Sequence, residues 1–357
     1  MGGPPMFFER KSMGELPHDT PMSTIGVASI SAAAPSAPPA RQVRSHGRGD
    51  RIFAGVLAAC AGLVPLIMAL FLGVLLYGAW PAFHALGFSF FTSIDWDPSE
   101  ASTHFGGLAF LYGTVATSVL SLLIAAPIGI SVAIFLHEII EKRMQGVLVF
   151  LIETLATIPS VVYGMWGLFV LKPHVATLER HLQPLQPYLD KICGGHFPLF
   201  SGPPIGIGML TGTLILVIMI LPIIVSISLE AFRSVPDSYR EAALGLGATR
   251  WEMIRIGVLP PARPGLFGGC ILALGRALGE TMAITMVIGN TPTVKLSLFE
   301  PADTISSVIA NQYPEASGLQ YAALTELALI LLIITLAVNL LARLIVRRMG
   351  RIARGGT

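Results

Sequence analysis

Charge is scarce in this chain. Asp, Glu, Lys and Arg make up 12% of its 357 residues, against 53% hydrophobic residues and a mean hydropathy of +0.72. Soluble domains usually carry about twice that charged fraction, so a water-exposed globular surface is excluded for most of the length. Cysteine is equally sparse: Cys60, Cys193 and Cys270 lie far apart, which excludes a disulfide framework and a CxxC metal site. No GxxxxGK[ST] phosphate loop occurs, and the eight histidines include no HExxH set. The chain is therefore expected to be neither an ATPase nor another enzyme, and to bind no metal or cofactor of its own.

What is present is apolar sequence in long runs. A bilayer-spanning helix needs about 20 apolar residues, and such runs occupy 52–80, 108–136, 147–171, 205–231, 265–289 and 322–346. These predict an all-α, polytopic membrane protein with six transmembrane helices. Of the 23 Lys and Arg residues, 18 fall in segments on one side of the six spans and four on the other, with Arg276 alone inside a span. Basic residues resist translocation, so both termini are expected on the cytoplasmic side of the membrane. The net charge of +2 follows from topology and implies no nucleic-acid partner. Residues 1–50 include the Ser/Ala/Pro-rich stretch "SAAAPSAPPARQVRSHGRGD" and read as a disordered cytoplasmic tail. Residues 51–350 form the six-span transmembrane region, and 351–357 a short C-terminal tail.

The longest inner loop, 233–264, opens with "RSVPDSYREAALGLGATRWEMIRIGVLPPARP". Ser234 with Asp237, and Thr249 with Glu252, each fit a capping box, so two short helices are expected. Gly245 and Gly247 would close the first, and Pro260 and Pro261 the second. A DNA-reading helix-turn-helix is excluded by tethering to the membrane at both ends. Periodicity alone leaves an ordinary amphipathic surface loop equally open.

The stretch "EAALGLGATRWEMIRIGVLP" resembles the EAA loop of ABC importer permeases. Glu241, Ala242, Ala243, Gly247, Leu259 and Pro260 fall on that pattern, while Gly257 stands where the pattern has Ile. "DWDPSEASTHFGGLAFLYGTVATS", "ETLATIPSVVYGMWGLFVL" and "GRALGETMAITMVIGN" are similar, in order, to segments of the C-type permeases of phosphate ABC importers. The resemblance implies an ABC importer type I permease fold and a loop docking as a coupling helix on a separate ATP-binding subunit. It further implies an A-type phosphate permease beside this chain, two copies of the ATP-binding subunit carrying ATP and Mg, and an extracytoplasmic phosphate-binding protein. Membrane lipid surrounds such a complex.

Arg276 and Glu280 stand four residues apart in the fifth run, so a continuous helix would place them on one face. An intramembrane charge is costly and must face protein or water. The pair reads either as a packing ion pair or as part of a substrate path, where the guanidinium fork matches an oxyanion. The resemblance independently implies that this Arg and Glu matter for phosphate passage. Sulfate or molybdate remain alternative cargoes, and a proton-coupled carrier using Glu280 is a reading from another class. Against the latter, no clear internal repeat is visible. The small-residue pairs Gly265/Gly269 and Gly275/Gly279 predict close helix approach, either to a partner permease or within the chain. Thr114, Ser118, Thr281 and Thr285 are hydroxyl candidates for anion contact that serve equally well as bonds back to their own helices.

Overall fold

The structure, a computed structural model, describes residues 47–97, 104–192 and 198–354. The tail read over 1–50 lies outside the described residues up to position 46, as does Cys193. The chain divides into two units, residues 1–61 and 62–357.

The helices are, in chain order, α1 (Arg48–Leu86), α2 (Leu108–Ile134), α3 (Lys142–Ala156), α4 (Ser160–Trp166), α5 (Lys172–Leu182), α6 (Gln186–Ile192), α7 (Met209–Arg233), α8 (Asp237–Gly245), α9 (Arg250–Glu252), α10 (Leu259–Leu278), α11 (Met282–Thr285), α12 (Ile305–Gln312) and α13 (Gly318–Arg354). Among the described residues no multi-stranded sheet forms; the extended pairings are the isolated bridges Trp96–Phe105 and Gly289–Ala302. Among the described residues, six helical stretches are long and apolar enough to cross a membrane.

α7 lies at the centre of the second unit because it is apolar on every face, the pattern of a helix surrounded by protein. Ile215, Leu216, Ile220, Ile224 and Phe232 are fully buried along it. Small residues on its neighbours set the distance. A Cβ on Gly129 of α2 would press on Ile224, and Cβ atoms on Gly265 and Gly269 of α10 would press on Ala231 and Ile227. The Gly265/Gly269 pair thus packs within the chain, against α7, the second of the two readings its spacing allowed.

Three spans depart from the sequence reading. The run 147–171 is not one helix: α3 ends at Ala156, and α4 starts after Pro159, whose ψ of 140° is extended. Proline has no N–H and disfavours helix in the residue before it. The fifth run does not continue to 289, because α10 ends at Leu278 and only the single turn α11 follows. The sixth extends further than expected, with α13 helical through Arg354 into the segment read as a C-terminal tail.

A glycine also fixes how the outer loop enters the bundle. Gly113 of α2 faces the backbone of Asp303 so closely that a Cβ would overlap its carbonyl oxygen. Gly113→Ala is therefore expected to lower stability by about 1–3 kcal/mol through overpacking. Gly146→Ala in α3, where nothing lies within 4 Å, should lose none. Thermal unfolding of both variants in detergent checks the contrast.

Candidate functional site

The charged pair sits at a break in the fifth span rather than on a continuous helix. Arg276 lies in the last turn of α10, where the exposed carbonyl ends of the helix favour a cation. Gly279 closes α10, and Glu280 belongs to the non-helical link before α11. The expected i, i+4 proximity survives the break: Arg276 Nη2 lies 3.9 Å from Glu280 Oε2. The two are unequal partners, since the arginine side chain is 45% exposed and the glutamate 8%. At that separation the contact is ionic without a hydrogen bond, which leaves the guanidinium fork free for another acceptor.

Both residues line an open groove of about 470 Å³ with Ile223, Leu272, Thr335 and Asn339. Gly275 and Gly279 line it too, so the second small-residue pair borders this space, unlike Gly265/Gly269. Next to Glu280, Thr114, Thr117, Ser118, Thr304 and Ser306 enclose a gap too narrow for water.

A break inside an apolar membrane run strands backbone groups that hydrocarbon cannot satisfy. Here the loop between α11 and α12, together with the first turn of α12, satisfies them. Ser306 Oγ donates to the Glu280 carbonyl (2.6 Å), Asn290 Nδ2 to the Thr285 carbonyl (3.0 Å) and Ala302 N–H to the Ile288 carbonyl (3.0 Å). Asn290 sits in the left-handed region at φ 47°, after Gly289 at φ 98°, and Ser307 Oγ donates to its Oδ1 (2.6 Å). Thr114 Oγ1 accepts from Ile305 N–H (2.9 Å) and donates to the Phe110 carbonyl. Thr281 and Thr285 donate to backbone carbonyls of Gly279 and Thr281. Of the four hydroxyl candidates only Ser118 is buried with no hydrogen-bond partner.

Asp303 anchors the same loop, buried, with Oδ1 accepting from Thr304 N–H (2.8 Å). Burial lifts its carboxyl from 3.8 to about 7, against the lowering effect of that hydrogen bond.

The inner loop builds the second candidate region. α8 is closed by Gly247 at φ 84°, with Ala248 N–H bonded to the Ala243 carbonyl. Thr249 caps α9 as expected: its Oγ1 accepts from Glu252 N–H, and Glu252 returns the contact to Thr249 N–H (2.8 Å). Ser234 does not cap α8. Its hydroxyl turns back to the Ala231 carbonyl of α7, and the residue before α8 is Pro236. Pro260 and Pro261 do not end the second helix either. They occupy the first positions of α10, where missing N–H groups cost nothing, after a wide turn at Met253–Val258.

Of the EAA positions, Ala243 is buried, Leu259 and Pro260 are half-buried, and Glu241, Ala242 and Gly247 are exposed. Gly257, the departure from the pattern, is buried against α8: a Cβ there would lie 3.0 Å from the Tyr239 carbonyl and 3.6 Å from Ala243 Cβ. Glycine lets the two arms of the loop close on each other. The outer side keeps Tyr239, Leu244, Leu246 and Trp251 exposed.

Sequence inspection missed what holds this loop to the membrane helices. Arg240 Nε and Nη2 donate to Glu138 Oε1 just past α2 (3.2 and 3.0 Å), and Nη2 also to the Phe232 carbonyl of α7 (3.1 Å). Its Nη1 donates to the Val235 carbonyl (2.8 Å) and Asp237 Oδ1 (3.0 Å). His137 Nδ1 lies 3.0 Å from the same Glu138 oxygen. The only signal in the sequence was a Glu and an Arg 102 positions apart at the inner ends of two spans.

Comparison with known proteins follows the same lines. Residues 125–351 match the family described as binding-protein-dependent transport system inner membrane component. The chain is 46% identical over 307 residues to the phosphate transport system permease protein PstC of Mesorhizobium japonicum, covering 86% of this chain and 92% of that protein. It is 44% identical to PstC of Pasteurella multocida (80% and 88% covered) and 36% to a probable PstC of Methanocaldococcus jannaschii (78% and 88%). Its fold is similar to that of a chain of a bacterial alginate ABC transporter in complex with an alginate-bound periplasmic protein. The TM-score there is 0.55 at 20% identity, covering 84% of this chain and 97% of that one.

Two outcomes test the site's supports. Arg240→Ala removes the ties between Glu138, α7 and α8 and leaves His137 as the remaining partner of the Glu138 carboxylate, so it should cost about 1–3 kcal/mol of stability, read in detergent unfolding. For Asp303, the folded carboxyl titrates at about 7 against 3.8 when free. Its stabilising contribution is complete below about pH 4 and declines as pH rises to about 7, because the folded state holds the proton longer. Melting temperature should therefore fall between pH 5 and 8, and Asp303→Asn should flatten that part of the profile.

Proposed function

Because the chain belongs to the family of binding-protein-dependent transport system inner membrane components, we propose that it is the C-type permease subunit of an ATP-driven inorganic phosphate importer. The observation that carries this reading is the near full-length similarity to phosphate permeases, 46% identical over 86% of the chain, combined with an arginine presented to a groove at membrane depth. The chain is a multi-pass protein of the bacterial inner membrane, with the type I permease fold and no ATPase site of its own. Its partners are an A-type phosphate permease, two ATP-binding subunits that carry ATP and Mg, and an extracytoplasmic phosphate-binding protein. The Lys and Arg distribution supports cytoplasmic termini.

Transport by such a subunit requires a site that holds the anion weakly and a linkage to hydrolysis elsewhere. Arg276 supplies the first. Its fork can leave Glu280, 3.9 Å away, for two oxygens of a phosphate, in a groove of about 470 Å³. Glu280 is nearly buried and fixed in the helix break, so it stays behind as a competing anion. It takes the guanidinium back when the path empties, which limits how long phosphate is retained. Gly275 and Gly279 border this groove, with Gly275 facing Asn339 of α13, and the A-type permease closes the groove from its open side, so the path runs along the subunit interface. Glu241, Ala242, Ala243, Gly247, Leu259 and Pro260 frame the docking loop, whose exposed Tyr239, Leu244, Leu246 and Trp251 fit an apolar groove on the ATP-binding subunit.

Arg276→Gln should reduce uptake of labelled phosphate by about 10- to 100-fold, the equivalent of roughly 1.5–3 kcal/mol for a hydrogen bond to a charged group, with the assembled complex intact. Excess sulfate or molybdate should leave wild-type uptake unchanged. Normal uptake by assembled Arg276→Gln refutes the path, and competition by either anion reassigns the cargo.

A further inference from the structure

The inner half of α13 carries four polar side chains at every fourth position: Thr335, Asn339, Arg343 and Arg347. The residues between them, in "TLAVNLLARLIVR", are apolar. On a helix this spacing makes one stripe, drifting by about 40° per step and rising about 18 Å from first to last. That is enough to run from mid-depth past the inner edge of a hydrocarbon core about 30 Å thick.

The stripe faces α10 along a continuous seam. The groove that holds Arg276 and Glu280 also contains Thr335 and Asn339. A second cavity of about 390 Å³ lies further along the same two helices, with Arg343 and Arg347 at its rim. The two share Leu272 and Asn339. Glycine keeps the seam open from the α10 side: the site of a Cβ on Gly275 lies 3.7 Å from Asn339 Oδ1, and Gly268 has nothing within 4 Å of its own. Beyond Glu280 neither cavity is lined by a carboxylate.

Preference for basic residues at the inner interface accounts for Arg343 and Arg347. It does not account for an asparagine held against a glycine in the same stripe, one helical turn from a threonine. Asn339 gives one N–H to the Thr335 carbonyl (2.9 Å) and has a second to offer. Hydroxyl, amide and two guanidinium groups form a series of oxyanion donors whose positive charge rises toward the inner side.

We propose that the α10–α13 seam is the cytoplasmic exit route of the transported anion, with Asn339, Arg343 and Arg347 as successive transient donors beyond Arg276. This rests on the phosphate reading of Arg276. No single donor in the series needs to bind tightly, because each hands the anion to a neighbour about one turn away.

The test uses the complete transporter in proteoliposomes, with Cys60, Cys193 and Cys270 replaced by Ser. Single cysteines are placed at Thr335, Asn339 and Arg343 on the stripe, and at Ala337 and Leu341 on the opposite face. An anionic thiosulfonate reagent is applied from the cytoplasmic side without nucleotide. Stripe positions should react at least about tenfold faster than the controls, because only a hydrated thiol ionises and is reached. Inorganic phosphate, and not sulfate at equal ionic strength, should slow them. Asn339→Asp should lower uptake about tenfold or more by placing an anion in the route, with the assembled complex retained. Stripe positions no faster than the controls would mean that lipid or a partner subunit fills the seam, and would overturn the proposal. Reactivity that phosphate leaves unchanged would make it a water-filled crevice off the route, and would overturn it too. If Arg276→Gln still lowers uptake about 10- to 100-fold in either case, the phosphate reading stands and only the exit route falls.

Discussion

Everything around the charged pair depends on one constraint: a helix that stops inside a membrane must have its loose backbone groups satisfied by protein. α10 stops at Leu278, and α11 contributes only one turn. The loop from Gly289 to Ser307 folds inward and bonds the carbonyls of Glu280, Thr285 and Ile288. Gly113 admits the loop, Thr114 receives its last N–H, and Asn290 takes a left-handed backbone to close it. Only with that loop in place can Glu280 leave helical geometry while remaining within ionic reach of Arg276.

The inner side follows the same logic with charge in place of a loop. Arg240 uses all its donor directions to tie Glu138, the end of α7 and the start of α8 into one unit. A buried ion pair adds little net stability, but breaking it is costly, so the arrangement acts chiefly to fix geometry. Gly257 then allows the returning arm to lie against α8, and the loop leaves the membrane as a closed hairpin with an apolar outer side.

Much of this was legible in the sequence because it is local. The six apolar runs, the Thr249–Glu252 capping box, the terminating Gly247 and the closeness of Arg276 to Glu280 are each set within a few residues. What escaped is set at a distance. The end of α10 at Leu278 is made possible by residues 290–307, and within "RALGETMAITM" its one local sign is Gly279, which also reads as half of a small-residue pair. Pro260 and Pro261 looked like stops because their place in the helix, at its first turn after a widened one, depends on where that helix begins. Ser234 looked like a cap, yet a carbonyl of α7 claimed its hydroxyl. Asn339 passed unremarked inside an apolar run, since its meaning comes from the glycine opposite. Pro159 lies inside the third apolar run, and its effect, two separate helices, follows from proline's missing N–H and the extended backbone at that residue.

The uninterrupted helical path from Arg250 to Leu278 has a mechanical consequence. It spans about 42 Å at 1.5 Å per residue, and the widened turn and the prolines are absorbed within it. It therefore behaves as a lever with one end in the inner loop and the other beside Glu280. A tilt of about 5° across that length displaces the far end by about 3–4 Å, comparable to the present Arg276–Glu280 separation of 3.9 Å. The widened turn at Met253–Val258 and Pro260, Pro261 and Pro264 put the bendable positions of that lever at its inner end, and the stretch from Gly265 to Leu278 that reaches Glu280 is regular helix.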